Sequence, residues 1–250
     1  MNEIRIRGLE GIPEIRPGDD LAGLIVRALR GGPFAGLAGG TVFVVAQKVV
    51  SKSEGCVVPL DSVVPSEEAR CWAGQHGRDP RVIEVVLRES RRIVRRERGV
   101  LIAETRHGFV CAHAGVDVSN APPGCVVVLP PDPDDSAFRL RNLLEAELGL
   151  DVAVIVSDTF GRPWRQGLTN VALGVSGLGP FVDYRGQTDA FGRTLQATLL
   201  AAADELASAG ELVMGKTLGI PVAVIEGWRW SARSGSGRDL LRPPEEDLFR

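Results

Sequence analysis

Lysine is almost missing from this chain. Of 29 basic residues only Lys48, Lys52 and Lys216 are lysines, and all the others are arginine. Against that preference, a position that stays lysine points to a need for a compact point charge. A phosphate oxygen is such a case, where arginine's planar fork is too large. Cysteine is sparse as well. Cys56, Cys71, Cys111 and Cys125 stand far apart with no C-x-x-C pair, which argues against a zinc knuckle or redox dithiol and for buried reduced thiols. No run approaches the roughly 18 apolar residues of a membrane-spanning helix. The start, Met1-Asn2-Glu3-Ile4-Arg5, lacks the apolar stretch of a secretory signal, so a cytoplasmic protein is expected. A net charge of −3 leaves no broad basic footprint for nucleic acid or a membrane surface. The Walker pattern G-x-x-x-x-G-K-[S/T], a G-x-G-x-x-G following a strand and the nucleophile elbow G-x-S-x-G are all missing. Nor does the chain carry internal repeats.

What is present is an ordinary globular composition, 44% hydrophobic and 24% charged over 250 residues, enough for one large domain or two small lobes with a proper core. Apolar β-branched runs predict strands at residues 4–6, 41–46, 100–105, 126–129, 152–156, 170–175 and 221–225. Asp19 and Asp20 open an amphipathic helix that Gly31-Gly32-Pro33 stops. A charged helix is expected over 80–97, carrying Arg91, Arg92, Arg95 and Arg96 on a solvated or dimer face. A helix opened by Ser136 has Leu140, Leu143, Leu144 and Leu148 on its stripe and Gly149 as its cap. The acids at 132–135 read as its N-terminal caps. A long Ala/Leu helix is expected from about 194 to 216. From Ser231 the chain turns Gly/Ser/Arg/Pro-rich, which reads as a flexible tail over 231–250 behind a domain of residues 1–230.

The chemistry concentrates in Ser157-Asp158-Thr159-Phe160-Gly161-Arg162-Pro163-Trp164-Arg165. A carboxylate at the end of a buried strand is costly unless a cation meets it. Arg162 and Arg165 or a divalent metal would serve, with Trp164 as an adjoining wall. Asp117 with Asn120 supplies a second pair of hard oxygen donors of the Mg²⁺/Mn²⁺ type. His107 and His113 are too few and too far apart for a zinc site and read as hydrogen-bonded structural residues. Gln47-Lys48 and Lys52 lie in what reads as a phosphate-facing turn after the strand at 41–46. Two aspartates, lysines and arginine pairs are the equipment for clamping phosphates during phosphoryl transfer. Spacing alone stops at metal-dependent phosphate chemistry. A phosphohydrolase, a kinase on another substrate, or a non-catalytic nucleotide-binding module remain open at this level.

Several blocks then carry a resemblance. Gly8-Leu9-Glu10-Gly11-Ile12-Pro13, Val50-Ser51-Lys52-Ser53-Glu54-Gly55, Arg106-His107-Gly108-Phe109-Val110 and Gly115-Val116-Asp117 precede the Asp158 block. Asp183-Tyr184-Arg185-Gly186 and Glu211-Leu212-Val213-Met214-Gly215-Lys216 follow it. In this order they resemble the coenzyme F420 γ-glutamyl ligase family over residues 3–227. The resemblance implies an α+β fold without a P-loop, with mixed sheets and flanking helices in two lobes and a homodimeric, intertwined assembly. It implies an acid–amino-acid ligase that uses GTP to activate coenzyme F420-0 as an acyl phosphate, which L-glutamate then attacks. Mg²⁺ or Mn²⁺, as one or two ions, and potassium are the implied cofactors. The implied metal ligands are Asp117, Asp158 and Thr159. Ile12, Pro13, Glu14, Ile15, Gln47, Lys48, Lys52, Asn120, Met214, Gly215 and Lys216 are the implied GTP contacts. Asp117, Asp158, Arg162, Arg165 and Lys52 are taken as the catalytic set. One departure stands out: Lys216 occupies a position where some archaeal members carry a glutamine metal ligand. Some members also continue into a reductase domain, whereas the ligase half alone is expected here.

Overall fold

The computed structural model describes residues 3–34, 36–229 and 235–247. Strand β1 (Arg5–Gly8) leads to helix α1 (Leu21–Gly31), whose first turn is closed by the Asp20 side chain accepting from the Gly23 N–H. Strand β2 (Thr41–Ala46) runs without a break into helix α2 (Gln47–Ser53), followed by β3 (Val57–Pro59), α3 (Glu67–His76) and α4 (Pro80–Glu89). Next come β4 (Ser90–Glu97), β5 (Val100–Thr105), β6 (Val110–Ala112) and β7 (Cys125–Val127). Helix α5 (Pro133–Leu148) is capped by Asp132 and ends on left-handed Gly149. The long hairpin β8 (Val152–Arg162) and β9 (Arg165–Ser176) follows. The short pair β10 (Val182–Asp183) and β11 (Leu199–Leu200), helix α6 (Ala202–Met214) and β12 (Val222–Glu226) complete the series. No helix among the described residues is long and apolar enough to cross a membrane.

One five-stranded sheet, ordered β1-β12-β2-β8-β9, organises the larger lobe, and its single parallel pairing joins β2 to β8. Both faces of its centre are buried, so these strands read as continuous apolar runs instead of alternating. Phe43, Val45, Val154, Val156 and Val224 face α1 and α5, while Val42, Val44, Ala153, Ile155 and Ile225 face α6. Helix α6 lies close to the sheet because it presents Ala203, Ala207 and Gly210 there. A Cβ on Gly210 would come within 3.1 Å of Val44. The smaller lobe packs α3, α4, the β3–β7 pair and the β4-β5-β6 sheet around Trp72, Ile83, Leu101 and Val126. The mixed α+β architecture in two lobes agrees with expectation.

Several expected elements come out differently. The helix read over 80–97 stops at Glu89, where Ser90 Oγ donates back to the Val86 carbonyl at 2.6 Å, and residues 90–97 form β4. Pairing with β5 wins over the helical charge pattern. Ile93 packs on the small core, and Arg91 and Arg92 both reach buried Glu104, Arg92 at 2.7 Å. The helix expected from 194 starts only at Ala202. Leu195 instead donates its N–H to the Gln187 carbonyl at 2.8 Å, and Leu199 and Leu200 pair with β10. Residues 47–53 are a helix where a turn was read. Strand β8 does not end at Asp158 but continues to Arg162. Of the tail, residues 231–234 and 248–250 lie outside the described residues. Gly235–Asp247 is in contact with the large lobe: Ser236 Oγ donates to Asp134 at 2.6 Å, and the Gly237 N–H donates to the same carboxylate at 2.6 Å.

Candidate functional site

The site follows from an inequality of strand lengths. The last β2–β8 pairing is Ala46 with Ser157, because the chain then turns into α2. Strand β8 carries on, paired to β9 alone. Its edge beyond Ser157 is therefore free of β2, at the carboxyl end of the only parallel strand pair among the described residues, where open sheets leave a crevice. A cavity of about 390 Å³ lies there. It is walled by the loop at 12–15, α2, β8, the end of α6 and the segment from 214 to 221.

Strand alternation divides two neighbouring residues of β8 between two settings. Asp158 lies towards Asp117, and Lys48 on the first turn of α2 ion-pairs with Asp117 at 2.6 Å. Asp117 is anchored by its backbone, which exchanges hydrogen bonds with Val127 at 2.8 and 2.9 Å. Its loop is tightly wound: His113, Ala114 and Asn120 all have left-handed backbones, with φ of 52°, 53° and 56°. For Ala114 that geometry costs on the order of 1 kcal/mol. Burial, then the negative charge of Asp117, pushes the Asp158 carboxyl up to about 6, with Lys48, the Thr159 backbone N–H and, least, Lys216 acting in the opposite direction. Burial, and next the charge of Asp158, also raises the Cys111 thiol to about 12, so that cysteine is inert.

Thr159 lies on the other side. Its Oγ1 donates to Asn170 Oδ1 at 2.7 Å across the β8–β9 pair and accepts from Lys216 Nζ. Asn170 Nδ2 donates to Glu211 Oε2 at 3.1 Å, and Lys216 Nζ lies 3.4 Å from Glu211 Oε1. Gly215, just past the end of α6 with a φ of 57°, turns the chain so that Lys216 reaches back to that helix's last turn.

On α2, Lys48 and Lys52 are four residues apart and share one face. Lys52 is only 4% exposed, yet its ammonium meets the exposed Glu14 carboxylate at 2.5 Å. Gln47 faces the smaller lobe, donating to Ser51 Oγ at 2.5 Å and to the Val128 carbonyl at 3.2 Å. Two buried oxygens lining the cavity, Gln47 Oε1 and Ser157 Oγ, have no hydrogen-bond partner among the described residues. Buried polar atoms are normally satisfied, so these two leave hydrogen-bonding capacity unused in residues of the cavity wall.

Ile12, Pro13, Glu14, Ile15, Gln47, Lys48, Lys52, Asn120, Met214, Gly215 and Lys216 thus come together on one cavity, with Asp158 and Thr159 in its wall and Asp117 behind Lys48. Arg162 and Arg165 do not join them. They sit at the exposed tip of the β8–β9 hairpin, where Arg162 donates to the Gln166 carbonyl at 3.1 Å. The reach of β8 explains this, since it carries the motif's second half away from the sheet. Trp164, 79% exposed at the same tip, is not core packing. His107 Nε2 is bonded to the Pro130 and Pro131 carbonyls at 2.9 and 3.1 Å, and His113 is turned towards neutrality by burial and then by Arg78. Asn170 and Glu211 are polar groups of the cavity that the sequence reading assigned no role. The signal was the length of β9, which places Asn170 opposite Thr159.

Among the described residues no three His, Cys, Asp or Glu side chains converge as a ready metal-ligand set. A cation at Asp117 and Asp158 would still meet hard oxygen donors. Burial first, and then the charge of Asp117, raise the Asp158 carboxyl, and a divalent ion would relieve both costs. The donor chemistry therefore fits Mg²⁺ or Mn²⁺ on that side.

Comparison with known proteins converges on one family. The F420-0:Gamma-glutamyl ligase family model matches residues 11–227. The chain is 46% identical over 250 residues to the coenzyme F420:L-glutamate ligase of Methanothermobacter thermautotrophicus, covering 99% of both chains. It is also 46% identical to the enzyme of that name from Methanopyrus kandleri, covering 97% of each. Over 212 residues it is 46% identical to the Methanocaldococcus jannaschii protein of the same name, covering 84% of this chain and 85% of that one. With a match of this extent, the chain belongs to the F420-0:gamma-glutamyl ligase family.

Proposed function

We propose that this chain is a GTP-dependent ligase that joins L-glutamate to coenzyme F420-0 through an acyl phosphate, forming γ-glutamyl-linked coenzyme F420. The observation that carries the reading is that all three lysines of an arginine-rich chain line or border one cavity together with two aspartates. At about 390 Å³ the cavity falls in the range of small-molecule sites.

Lys48 and Lys52 are held by Asp117 and Glu14, and both exchange those carboxylates for phosphate oxygens. Glu14 is 73% exposed, so its release to water costs little. Lys52 is buried in a low-dielectric wall, where a phosphate gains more from an ammonium than in water. A carboxylate oxygen of coenzyme F420-0 attacks the γ-phosphorus and GDP departs. The glutamate amine then attacks the acyl carbon and the C–O bond to phosphate breaks. Asp117 and Asp158 would hold Mg²⁺ or Mn²⁺, which when bound supplies electrostatic stabilisation of the transferring phosphoryl group. Gln47 Oε1 accepts from polar atoms of the bound substrates, and Ser157 Oγ accepts from or donates to them. A homodimer belongs to this reading, as does potassium beside the divalent ion. Trp164, Leu168 and Phe191 are large exposed apolar side chains that a second protomer would cover in this reading.

The test is mass spectrometry of incubations with GTP, L-glutamate and Mg²⁺, with and without coenzyme F420-0. The expected product is coenzyme F420-0 heavier by one or more glutamyl residues, formed only when all components are present. Consumption of GTP with no glutamylated product would overturn the reading in favour of a phosphohydrolase.

A further inference from the structure

The two ends of the cavity differ in how their charges are met. Around Asp117 and Asp158, the ammonium of Lys48 bonds Asp117 at 2.6 Å, while Asp158 feels Lys48 and, more weakly, Lys216 without an ion pair to either. Around Thr159 the account is closed. Lys216 Nζ donates to Thr159 Oγ1, Thr159 Oγ1 donates to Asn170 Oδ1 at 2.7 Å, and Asn170 Nδ2 donates to Glu211 Oε2 at 3.1 Å. Glu211 Oε1 returns to Lys216 Nζ at 3.4 Å. One carboxylate meets one ammonium through two neutral groups, and every polar group in the ring has a partner. The ring also lies at the C-terminal end of α6, the negative end of its dipole, where a cationic side chain is favoured.

We infer that Lys216 is a resident cation: its ammonium holds the oxygen cage of Thr159, Asn170 and Glu211, and the chain binds one divalent ion, on the aspartate side, and not two. A second divalent ion at Thr159 Oγ1 would meet an oxygen already bonded to Lys216 and Asn170 and would lie beside a fixed positive charge. A protonated amine has no lone pair with which to ligate it. On the aspartate side the same competition has the opposite outcome, because three carboxylates, Asp117, Asp158 and Glu211, share the two ammonium groups of Lys48 and Lys216, and the ion pairs go to Asp117 and Glu211. The inference rests on the reading of Asp117 and Asp158 as the metal-holding pair, and it restricts Thr159 to a positioning role through Lys216. That ammonium faces the cavity and stands ready for a phosphate oxygen.

The experiment counts Mn²⁺ ions bound per chain in nucleotide-free, full-length protein, by the electron paramagnetic resonance signal of free Mn²⁺ during titration. The wild type should saturate at one ion per chain. Lys216→Gln, which removes the ammonium and offers an amide oxygen, should saturate at two. Asp158→Asn should fall to none while keeping the Lys216 ring. Circular dichroism checks that each variant is folded, and the wild-type count stands whatever the variants do. A wild type that binds two ions, or none, overturns the inference, as does a folded Lys216→Gln that still binds one. An ion retained by Asp158→Asn overturns its placement at the aspartates. Failure of the ligase reading is distinguishable, because it appears as missing glutamylated product and leaves counts of one and two untouched.

Discussion

Asp158 and Thr159 are neighbours in the chain, yet they stand in opposite electrostatic settings. The aspartate side is under-neutralised, with a buried carboxyl lifted to about 6 by desolvation and by Asp117. The Thr159 side is a closed ring of hydrogen bonds and one ion pair. Period-two alternation along β8 makes the division, and the early end of β2 opens both sides to one cavity. The difference teaches where binding energy is held in reserve. Strain and repulsion persist on the side that needs a cation, while the other side supports the fold.

The largest expected effect tests the aspartate half. Asp158→Ala should lower the rate of glutamylated product formation by at least about 10²–10³-fold, the loss typical of removing a principal electrostatic element of a site. Its far-ultraviolet circular dichroism should match the wild type. A rate within a few-fold of wild type would end the assignment of this side to catalysis.

A second prediction concerns stability and has the opposite sign. The folded-state pKa of Asp158 lies above its unfolded value, so the folded state binds the proton more tightly. The protonated side chain therefore favours folding below about pH 4, and that advantage is lost as pH rises from about 4 to 6. At pH 7.5, in chelator, the charged carboxylate is destabilising. Asp158→Asn should then stabilise the metal-free protein by about 1–3 kcal/mol, from the size of the shift. The gain should shrink towards zero at pH 4. Denaturant melts of both proteins across that range read this directly, and a destabilised Asp158→Asn at pH 7.5 would contradict it. Activity and stability would thus pull apart at one residue.

The companion change on the other half is Thr159→Val, which keeps the volume and removes the hydroxyl. It breaks two links of the ring, leaving Asn170 Oδ1 and Lys216 without that partner. A loss of about 1 kcal/mol is expected in the same chelated melts, the usual cost of such hydrogen bonds. Stabilisation would mean that the two halves are not opposites.

Much of this arrangement was legible in the residues. The scarcity of lysine singled out Lys48, Lys52 and Lys216, and the fold gathers them at one cavity. Caps at Asp20, Asp132 and Gly149 were readable because capping is local chemistry. The misread segments are those where tertiary pairing overrides local pattern. Residues 90–97 carry helix-like charge spacing but are held as a strand by Glu104 and by pairing with β5. Residues 195–200 look helical but pair across a loop. Asn170 and Glu211 escaped notice because their meaning depends on the register of β8 with β9 and on the packing of α6, and neither is a short-range signal.

The smallest expected effect concerns the hairpin tip, the part of the Asp158 motif that the structure separates from the cavity. Trp164 is 79% exposed and sits at a left-handed turn with φ of 56°. An exposed side chain away from the core contributes little to folding, so Trp164→Ala should change stability by less than about 0.5 kcal/mol. If the tip engages substrate or a second protomer, activity or oligomeric state should fall while stability does not. Chelated melts alongside product formation and sedimentation separate these cases. An unchanged rate and an unchanged mass would make the second half of the motif a passive turn, and the comparison between Asp158 and Thr159 would then contain all of its chemistry. A drop in either would mean that β8 serves two surfaces, the cavity at its middle and a contact at its end, joined by one rigid strand.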